Sequence, residues 1–451
     1  MNYFEHFKIN FKLAVPVMIS QLGHIMVNVA DSAMVGHLGK TPLAGSALAG
    51  SIFSLAMTFG IGLSIGVTPF VAAADGEKNF KRLGGLLYNG MVVGIAGGLL
   101  LCLLIFAVFP ALPYFNQPPE VVTIAKPYLA VIGFSLIPLM LFQILRQFVE
   151  GLAFTREAMV IILLSNVLNI ILNYIFIFGK LGLPAMGLLG AGYSTLISRV
   201  VMMLAIWVFV AKNKRFNIHR RFAVKARIKL ETIKEILRVG LPGGIQYTFE
   251  VGAFALAVIM MGWLGKVEQA AHQVAISLAS VSYMMASGLS AAATIRVGNQ
   301  FGKKDFPTLK KAAHTLFAMG LVFMGVCGLF FALASQWLPT LFIDDPEVIS
   351  LASNLIIIAA VFQLSDGLQV VCLGALRGLT DVKIPTIITM LAYWIFGLPV
   401  SWLFGFKLGY GAEGIWYGLL IGLTIAGVLS LIRFEWYTNA MVKRSSYRVE
   451  S

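Results

Sequence analysis

The chain has 451 residues, 59% of them hydrophobic and only 12% charged, about half the charge of a soluble protein of this size. Its mean hydropathy is +0.86, which excludes a soluble globular domain, and no alternating apolar segments of about ten residues suggest a β-barrel. The net charge of +14 would suit nucleic acid, but the basic residues gather in particular loops rather than on a compact domain, so no nucleic-acid partner is expected.

Runs of roughly 20 apolar residues recur along the chain, each long enough to cross a hydrocarbon core of about 30 Å. They predict an all-α polytopic membrane protein with twelve transmembrane helices, at about 13–35, 45–72, 86–110, 127–150, 158–179, 187–211, 240–264, 272–297, 312–337, 349–376, 384–406 and 412–437. The first is not a cleavable signal peptide, because its apolar stretch is too long and no small-residue cleavage site follows. Ten Lys/Arg crowd residues 212–238, and Arg296, Lys303, Lys304, Lys310 and Lys311 add five more, whereas the opposite loops hold only Lys40, Lys126, Lys180, Lys266 and Lys407. By the positive-inside rule both termini and the 212–238 linker are cytoplasmic. Attraction of that linker to anionic headgroups is a secondary consequence. Cys102, Cys327 and Cys372 are scattered through apolar spans, with no disulfide framework and no metal spacing, so they read as small packing residues.

Shifting the chain by 226 residues aligns 16–80 with 242–306 without a gap, and 19 of those 65 positions are identical. Pro16/Pro242, Gly62/Gly288, Thr68/Thr294, Lys78/Lys304 and Phe80/Phe306 are among them; past one indel the register becomes 227, pairing 180–182 with 407–409. This is an internal duplication. Six spans per half is an even number, so the halves are parallel repeats about an axis along the membrane normal, with a central cavity between them. The expected divisions are 1–211 for the N-terminal six-helix lobe, 212–238 for the basic linker, 239–437 for the C-terminal lobe and 438–451 for a cytoplasmic tail.

Three carboxylates lie where a charge is costly. Asp31, Glu250 and Asp366 each sit inside a long apolar span, and a charge at the bilayer centre costs about 2.5–3.5 kcal/mol on insertion scales. Such residues mark ion or substrate pathways, which points to a transporter. At the repeat-equivalent positions stand Ala257, His24 and Leu139, so the scaffold was duplicated and the acids were not. Burial disfavours the charged form of a carboxyl group, so such a group exchanges a proton, or ionises when a cation arrives. In the first half, Asn28 and Asp31 are three residues apart, Asn169 and Asn173 are spaced i, i+4, and Thr195 and Ser198 share a helical face. A carboxylate with amide and hydroxyl oxygens can surround a small hard cation; interhelical hydrogen bonding is the plain alternative for the Asn and Thr residues. Arg199 and His24 also lie within spans and receive no role. Phe53, Met57, Met260, Met261, Met284 and Met285 are candidates for an adaptable cavity lining. No HExxH, GxSxG, P-loop or Cys/His cluster is present, so no enzyme and no cofactor is expected. Asp344-Asp345 before Pro346 reads as a solvated turn.

The stretches LAVPVMISQLGHIMVNVADSAMVGHLG (13–39), EGLAFTREAMV (150–160), RVGNQFGKKD (296–305), LRGLTDVKIP (376–385) and YWIFGLPVSW (393–402) together resemble the multidrug and toxic compound extrusion (MATE) family, in its NorM-like branch, over nearly the full length. The resemblance implies a V-shaped pair of six-helix bundles in a bacterial cytoplasmic membrane, working as a monomer and exporting lipophilic organic cations and drugs by alternating access. It implies sodium or proton coupling, with cation-site positions at Asp31, Asn169, Asn173 and Thr195 in the first lobe and at Glu250 and Asp366 in the second; Asp31, Glu250 and Asp366 would be the Na⁺ ligands. Phe362 stands one turn before Asp366, where some relatives carry tyrosine. Two rivals are weighed: a lipid-linked sugar flippase, which calls for more basic residues facing the cavity than Arg146 and Arg199, and an intramembrane transferase, which calls for clustered acids near one membrane face.

Overall fold

The computed structural model describes residues 2–115 and 117–447. Twelve helices in it are long and apolar enough to cross a membrane: α1 (Tyr3–Gly36), α2 (Lys40–Gly76), α3 (Phe80–Tyr114), α4 (Pro119–Gly151), α5 (Thr155–Phe178), α6 (Gly187–Lys212), α7 (Leu230–Leu264), α8 (Lys266–Lys303), α9 (Phe306–Leu333), α10 (Pro346–Gly378), α11 (Lys383–Lys407) and α12 (Gly411–Lys443). Count and order agree with the hydropathy reading. The helices are longer than the apolar windows because their polar ends continue the backbone ladder past the hydrocarbon. α7, for instance, begins at Leu230 with the charged turns LETIKEILR. α7 therefore begins within the basic segment 212–238. That segment also holds a tight turn, Lys214–Phe216, and one short helix, Asn217–Val224. His219 fixes that helix among the rings of Phe80, Phe148 and Phe216, and burial holds its imidazole below the usual histidine range. The tail expected at 438–451 is helical as far as Tyr447; residues 448–451 lie outside the described residues.

The duplication is visible in the backbone. Lys78 and Lys304, equivalent at a shift of 226, both take the left-handed conformation (φ 54° and 60°). The next residue then caps the following helix: Asn79 accepts from the Arg82 amide at 3.0 Å, and Asp305 from the Thr308 amide at 3.1 Å. Ala153 and Thr380, equivalent at 227, are also left-handed (φ 67° and 60°). Backbone bonds across each turn, from the amides of Asn79, Phe154, Asp305 and Asp381 to the carbonyls five residues earlier, hold the strained residues in place. Asp345 is a cap as well, accepting from the amides of Glu347 and Val348 at the start of α10.

Packing divides the chain into two compact units. Ile19–Gly244 form one; Met18 and the residues before it join those from Ile245 onward in the other. The cut thus falls inside α1 and α7, the first helix of each repeat. In the first unit, a Cβ on Gly62 of α2 would stand 2.5 Å from the Gly244 Cα of α7, and one on Gly66 would stand 2.6 Å from the Ile236 carbonyl oxygen. In the other unit, a Cβ on Gly288 of α8 would meet the Met18 Cγ of α1 at 2.6 Å. Gly62 and Gly288 are repeat equivalents, as are Gly244 and Met18. Where lipid supplies no hydrophobic drive between helices, small residues that let backbones approach supply the contact instead. Arg296 of α8, itself buried, completes the second contact by donating to Asn10 Oδ1 (3.2 Å) and bonding His6 Nδ1 (3.1 Å) on α1.

The Gly62 contact has a measurable consequence. Gly62→Ala forces backbone apart and should destabilise by about 1–3 kcal/mol, as overpacking does, seen as a lowered Tm of the detergent-purified protein. Gly85→Ala, whose Cβ meets nothing within 4 Å, should be neutral or raise Tm slightly, since alanine favours the helix.

Candidate functional site

In the first unit Asp31 of α1 is half-buried and faces α5. Asn173 is fully buried and donates from Nδ2 to Asp31 Oδ1 at 2.5 Å; the same Nδ2 lies 3.3 Å from Asn169 Oδ1, one turn away. The i, i+4 pair and the carboxylate therefore form one cluster. Asn173 Oδ1 is buried without a partner. An orphaned acceptor of that kind beside a carboxylate costs about 1–3 kcal/mol and fits a cation or proton donor. Thr195 of α6 is half-buried and makes no hydrogen bond to Asp31 in this structure. Asn28 is exposed. Arg199, one turn beyond Thr195, donates from Nη1 to Ser135 Oγ (2.5 Å), with its guanidinium 4.7 Å from the Phe53 ring centre.

In the second unit Glu250 of α7 and Asp366 of α10 are buried, with exposures of 8% and 4%. Gln369 binds the first: its Nε2 donates to Glu250 Oε1 at 3.4 Å, while its Oε1 accepts from the Tyr393 hydroxyl at 2.8 Å. Asp366 lies within electrostatic range of Glu250 and has no hydrogen-bond partner among the described residues. Gln363, one turn before Asp366, is fully buried with neither amide atom paired. Phe362 packs on Phe254 (6.3 Å between ring centres) and on Trp416 (5.6 Å) and has no hydroxyl to offer. Arg377 donates from Nη1 to the Tyr247 hydroxyl at 3.4 Å. The second cluster thus joins α7, α10 and α11.

Gln369 and Tyr393 were not singled out from the sequence. Gln369 stands three residues after Asp366, a spacing that would have found it. Tyr393 lies in a wide i→i+5 turn, Leu391–Gly397, a distortion common at functional sites but invisible in hydropathy. Met260 and Met261 pack in the core of this unit and do not line an open surface. Arg146, the other basic residue weighed for a cavity, is paired with Glu150 of its own helix at 2.6 Å. No group of three or more His, Cys, Asp or Glu side chains that could hold a metal occurs among the described residues. Two carboxyls with amide and phenol oxygens suit a proton or a small hard cation.

Comparison with known proteins shows the internal repeat again. The MatE family model matches the chain twice, over residues 16–175 and 242–403. The "Probable multidrug resistance protein NorM" of Agrobacterium fabrum is 37% identical over 440 residues, covering 96% of this chain and 94% of that protein. The "Multidrug resistance protein MdtK" of Yersinia pseudotuberculosis is 34% identical over 432 residues, covering 94% of each. Among solved structures, the outward-facing conformation of a multidrug resistance MATE family transporter of the MOP superfamily superposes with a TM-score of 0.89 at 22% identity, over 97% of each chain. The crystal structure of a eukaryotic MATE transporter gives 0.86 at 23%, over 98% of this chain and 99% of that one.

Replacing the bridging amide tests the second cluster. Gln369→Leu keeps the volume but strands the Glu250 carboxyl and the Tyr393 hydroxyl, so Tm of the purified protein should fall by the equivalent of about 1–3 kcal/mol for each orphaned group. Tyr393→Phe, which removes only one partner of Gln369, should cost less.

Proposed function

This chain belongs to the MatE family and is a multi-pass multidrug efflux transporter rather than an enzyme, and we propose that it is a cation-coupled antiporter exporting lipophilic organic cations by alternating access. The observation that carries the coupling is the second-unit cluster. Glu250 and Asp366 are kept from water within each other's field, and one of them is without a hydrogen-bond partner. Two such carboxyls cannot both hold a negative charge cheaply unless a proton or a cation accompanies them. A coupling Na⁺ or H⁺ entering from one side supplies that partner. An organic cation arriving from the other side competes for the same charge, and exchange of the two gives antiport. Asp31, with the free acceptor of Asn173 and the neighbouring Asn169, offers the first unit's place for the coupling cation, and Thr195 of α6 is the further oxygen assigned to it.

In this reading both termini and the basic linker face the cytoplasm of a bacterial cell, the membrane is the cytoplasmic one, and the lobes are 1–211 and 239–437 joined by 212–238. The transporter needs no cofactor beyond its coupling ion and works as a monomer. The sugar-flippase alternative loses one of its two basic residues to the Arg146–Glu150 pair.

Transport into inside-out vesicles tests the acids. Asp366→Asn and Glu250→Gln keep shape and hydrogen bonds but cannot ionise, so each should abolish concentrative ethidium uptake while the protein stays monodisperse. Asp31→Asn should instead alter the sodium and pH dependence of uptake more than the apparent drug affinity. Normal uptake rates in Asp366→Asn would sink the assignment.

Topology is open to a separate check. Single cysteines beside Lys40 and Asp345 should react with an impermeant maleimide added to intact cells, and cysteines within 212–238 should not. Reaction of the linker would reverse the orientation.

A further inference from the structure

The basic linker is the feature that the efflux reading leaves unused. Residues 212–230 hold eight Lys/Arg and no acidic residue, and the structure gives this stretch as a built surface rather than a loose tether. Phe216, His219 and Ala223 recur at helical spacing and are buried. The Phe216 ring packs on those of Phe148, Phe154 and Phe209. The helix Asn217–Val224 lies directly on α3: a Cβ on Gly84 would stand 2.5 Å from the Phe222 Cβ and 2.8 Å from the Ala223 amide nitrogen. Beyond that helix the fully buried Asn89 of α3 holds the backbone at two points. Its Nδ2 donates to the Arg227 carbonyl at 3.4 Å, and its Oδ1 accepts from the Lys229 amide at 2.8 Å. All of these residues belong to one compact unit.

Docking one face turns the other outward. Lys214, Arg221, Lys225, Arg227 and Lys229 are exposed, and among the described residues none of these five has a carboxylate within ion-pair distance. Between them Ile218, Phe222, Val224, Ile228 and Leu230 are exposed as well, Val224 most of all at 86%. Gly84 and Asn89 stand on either side of residue 86, where the apolar span of α3 begins, so the linker rests against its unit at the edge of the hydrocarbon. In water, unpaired cations in a row repel one another and the apolar side chains between them stay wet. The headgroup layer of an anionic bilayer meets both needs: apolar groups reach the acyl boundary, and Lys and Arg stems carry their charge up to the phosphates. Nucleic acid offers phosphates without an apolar layer and so meets only half of the surface.

We propose that the docked linker is a binding surface for anionic glycerophospholipid of the leaflet it borders, with headgroup phosphates on Lys225, Arg227 and Lys229 and with Phe222, Val224 and Ile228 at the acyl boundary. Gly84 and Asn89 build that surface by holding the linker at this depth. The intramembrane carboxyls take no part in it.

A fluorophore on the linker tests the proposal. Val224→Cys in the full chain is labelled with a nitrobenzoxadiazole maleimide; the native cysteines are buried or half-buried, and the unsubstituted chain sets the labelling background. The labelled protein is placed in nanodiscs of phosphatidylcholine alone, and in discs where phosphatidylglycerol replaces part of it, with spin-labelled lipid as quencher. Phosphatidylglycerol should shift the emission to the blue and deepen the quenching. Raising the salt from about 0.1 M to about 1 M shortens the screening length from about 10 Å to about 3 Å and should reverse part of that change. Each basic side chain at an anionic surface strengthens attachment about fivefold, so Lys225→Gln/Arg227→Gln/Lys229→Gln should show no change at lipid compositions that saturate the parent. Lys303→Gln/Lys311→Gln, which removes exposed charge from the other unit, should respond as the parent does and separates this surface from net charge. The same signal in both lipids, or a folded triple variant that responds like the parent, overturns the proposal; if the triple variant does not fold, the lipid and salt responses of the parent decide it. A duplex oligonucleotide added to the phosphatidylcholine discs should leave the signal unchanged, and a larger shift than phosphatidylglycerol gives would assign the surface to nucleic acid instead.

Discussion

A hydrocarbon layer offers no hydrogen-bond partner, so each polar group taken into it must be satisfied by the protein itself. That constraint explains why the chain is helical throughout its spans: a helix pairs every interior amide with a carbonyl of the same segment. It also explains how the helices are joined. Caps such as Asn79 and Asp305 meet the amides that start a helix. The few polar side chains at depth collect into clusters rather than scatter, because each alone would be costly. Asp31 with Asn173 and Asn169, and Glu250 with Gln369 and Tyr393, are the two results.

The same constraint separates groups that are satisfied from groups that are waiting. Arg146 and Glu150 neutralise each other one turn apart and read as structural. Asn173 Oδ1 and both amide atoms of Gln363 are buried without partners, and Asp366 has no hydrogen bond. Natural interiors tolerate few such groups. Those at Asn173 and Gln363 stand beside the intramembrane carboxyls, where a proton or a hard cation would be the missing partner. Each unit carries an arginine in range of an acid, Arg199 with Asp31 and Arg377 with Glu250, and the second unit adds another carboxyl, Asp366. Two repeats of one scaffold have thus come to present different charge, in keeping with acids that the duplication did not copy.

The duplication also shapes the packing. In both repeats the early part of the first helix belongs with the compact unit formed mainly by the other repeat, through close contacts at Gly62 and Gly288. Each repeat is one supersecondary plan, but neither packs alone. Pro16 and Pro242, equivalent residues inside α1 and α7, lie in the same stretch where each helix passes from one unit to the other. A proline removes an intrahelical hydrogen bond, so both helices carry a weakened ladder near that point.

Hydropathy determined the class and the number of helices, since a bilayer reads little more than the length and apolarity of a segment and both are written in single residues; the duplication came from residue identities at a fixed shift. The three carboxylates were legible for the same reason: Asp31, Glu250 and Asp366 stand out against apolar neighbours wherever they point. The partners were harder. Asn169 and Asn173 could be paired from their i, i+4 spacing, which is local, and that pairing holds. Thr195 was grouped with Asp31, but no hydrogen bond joins them, because the rotation of α6 about its axis is set by packing that no spacing records. Gln369 and Tyr393 became partners of Glu250 only through the meeting of α7, α10 and α11, a contact across more than a hundred residues. Arg146 could have been paired with Glu150 from their i, i+4 spacing, whereas only the tertiary structure decided that Arg199 meets Ser135 and Phe53, because those partners come from other helices.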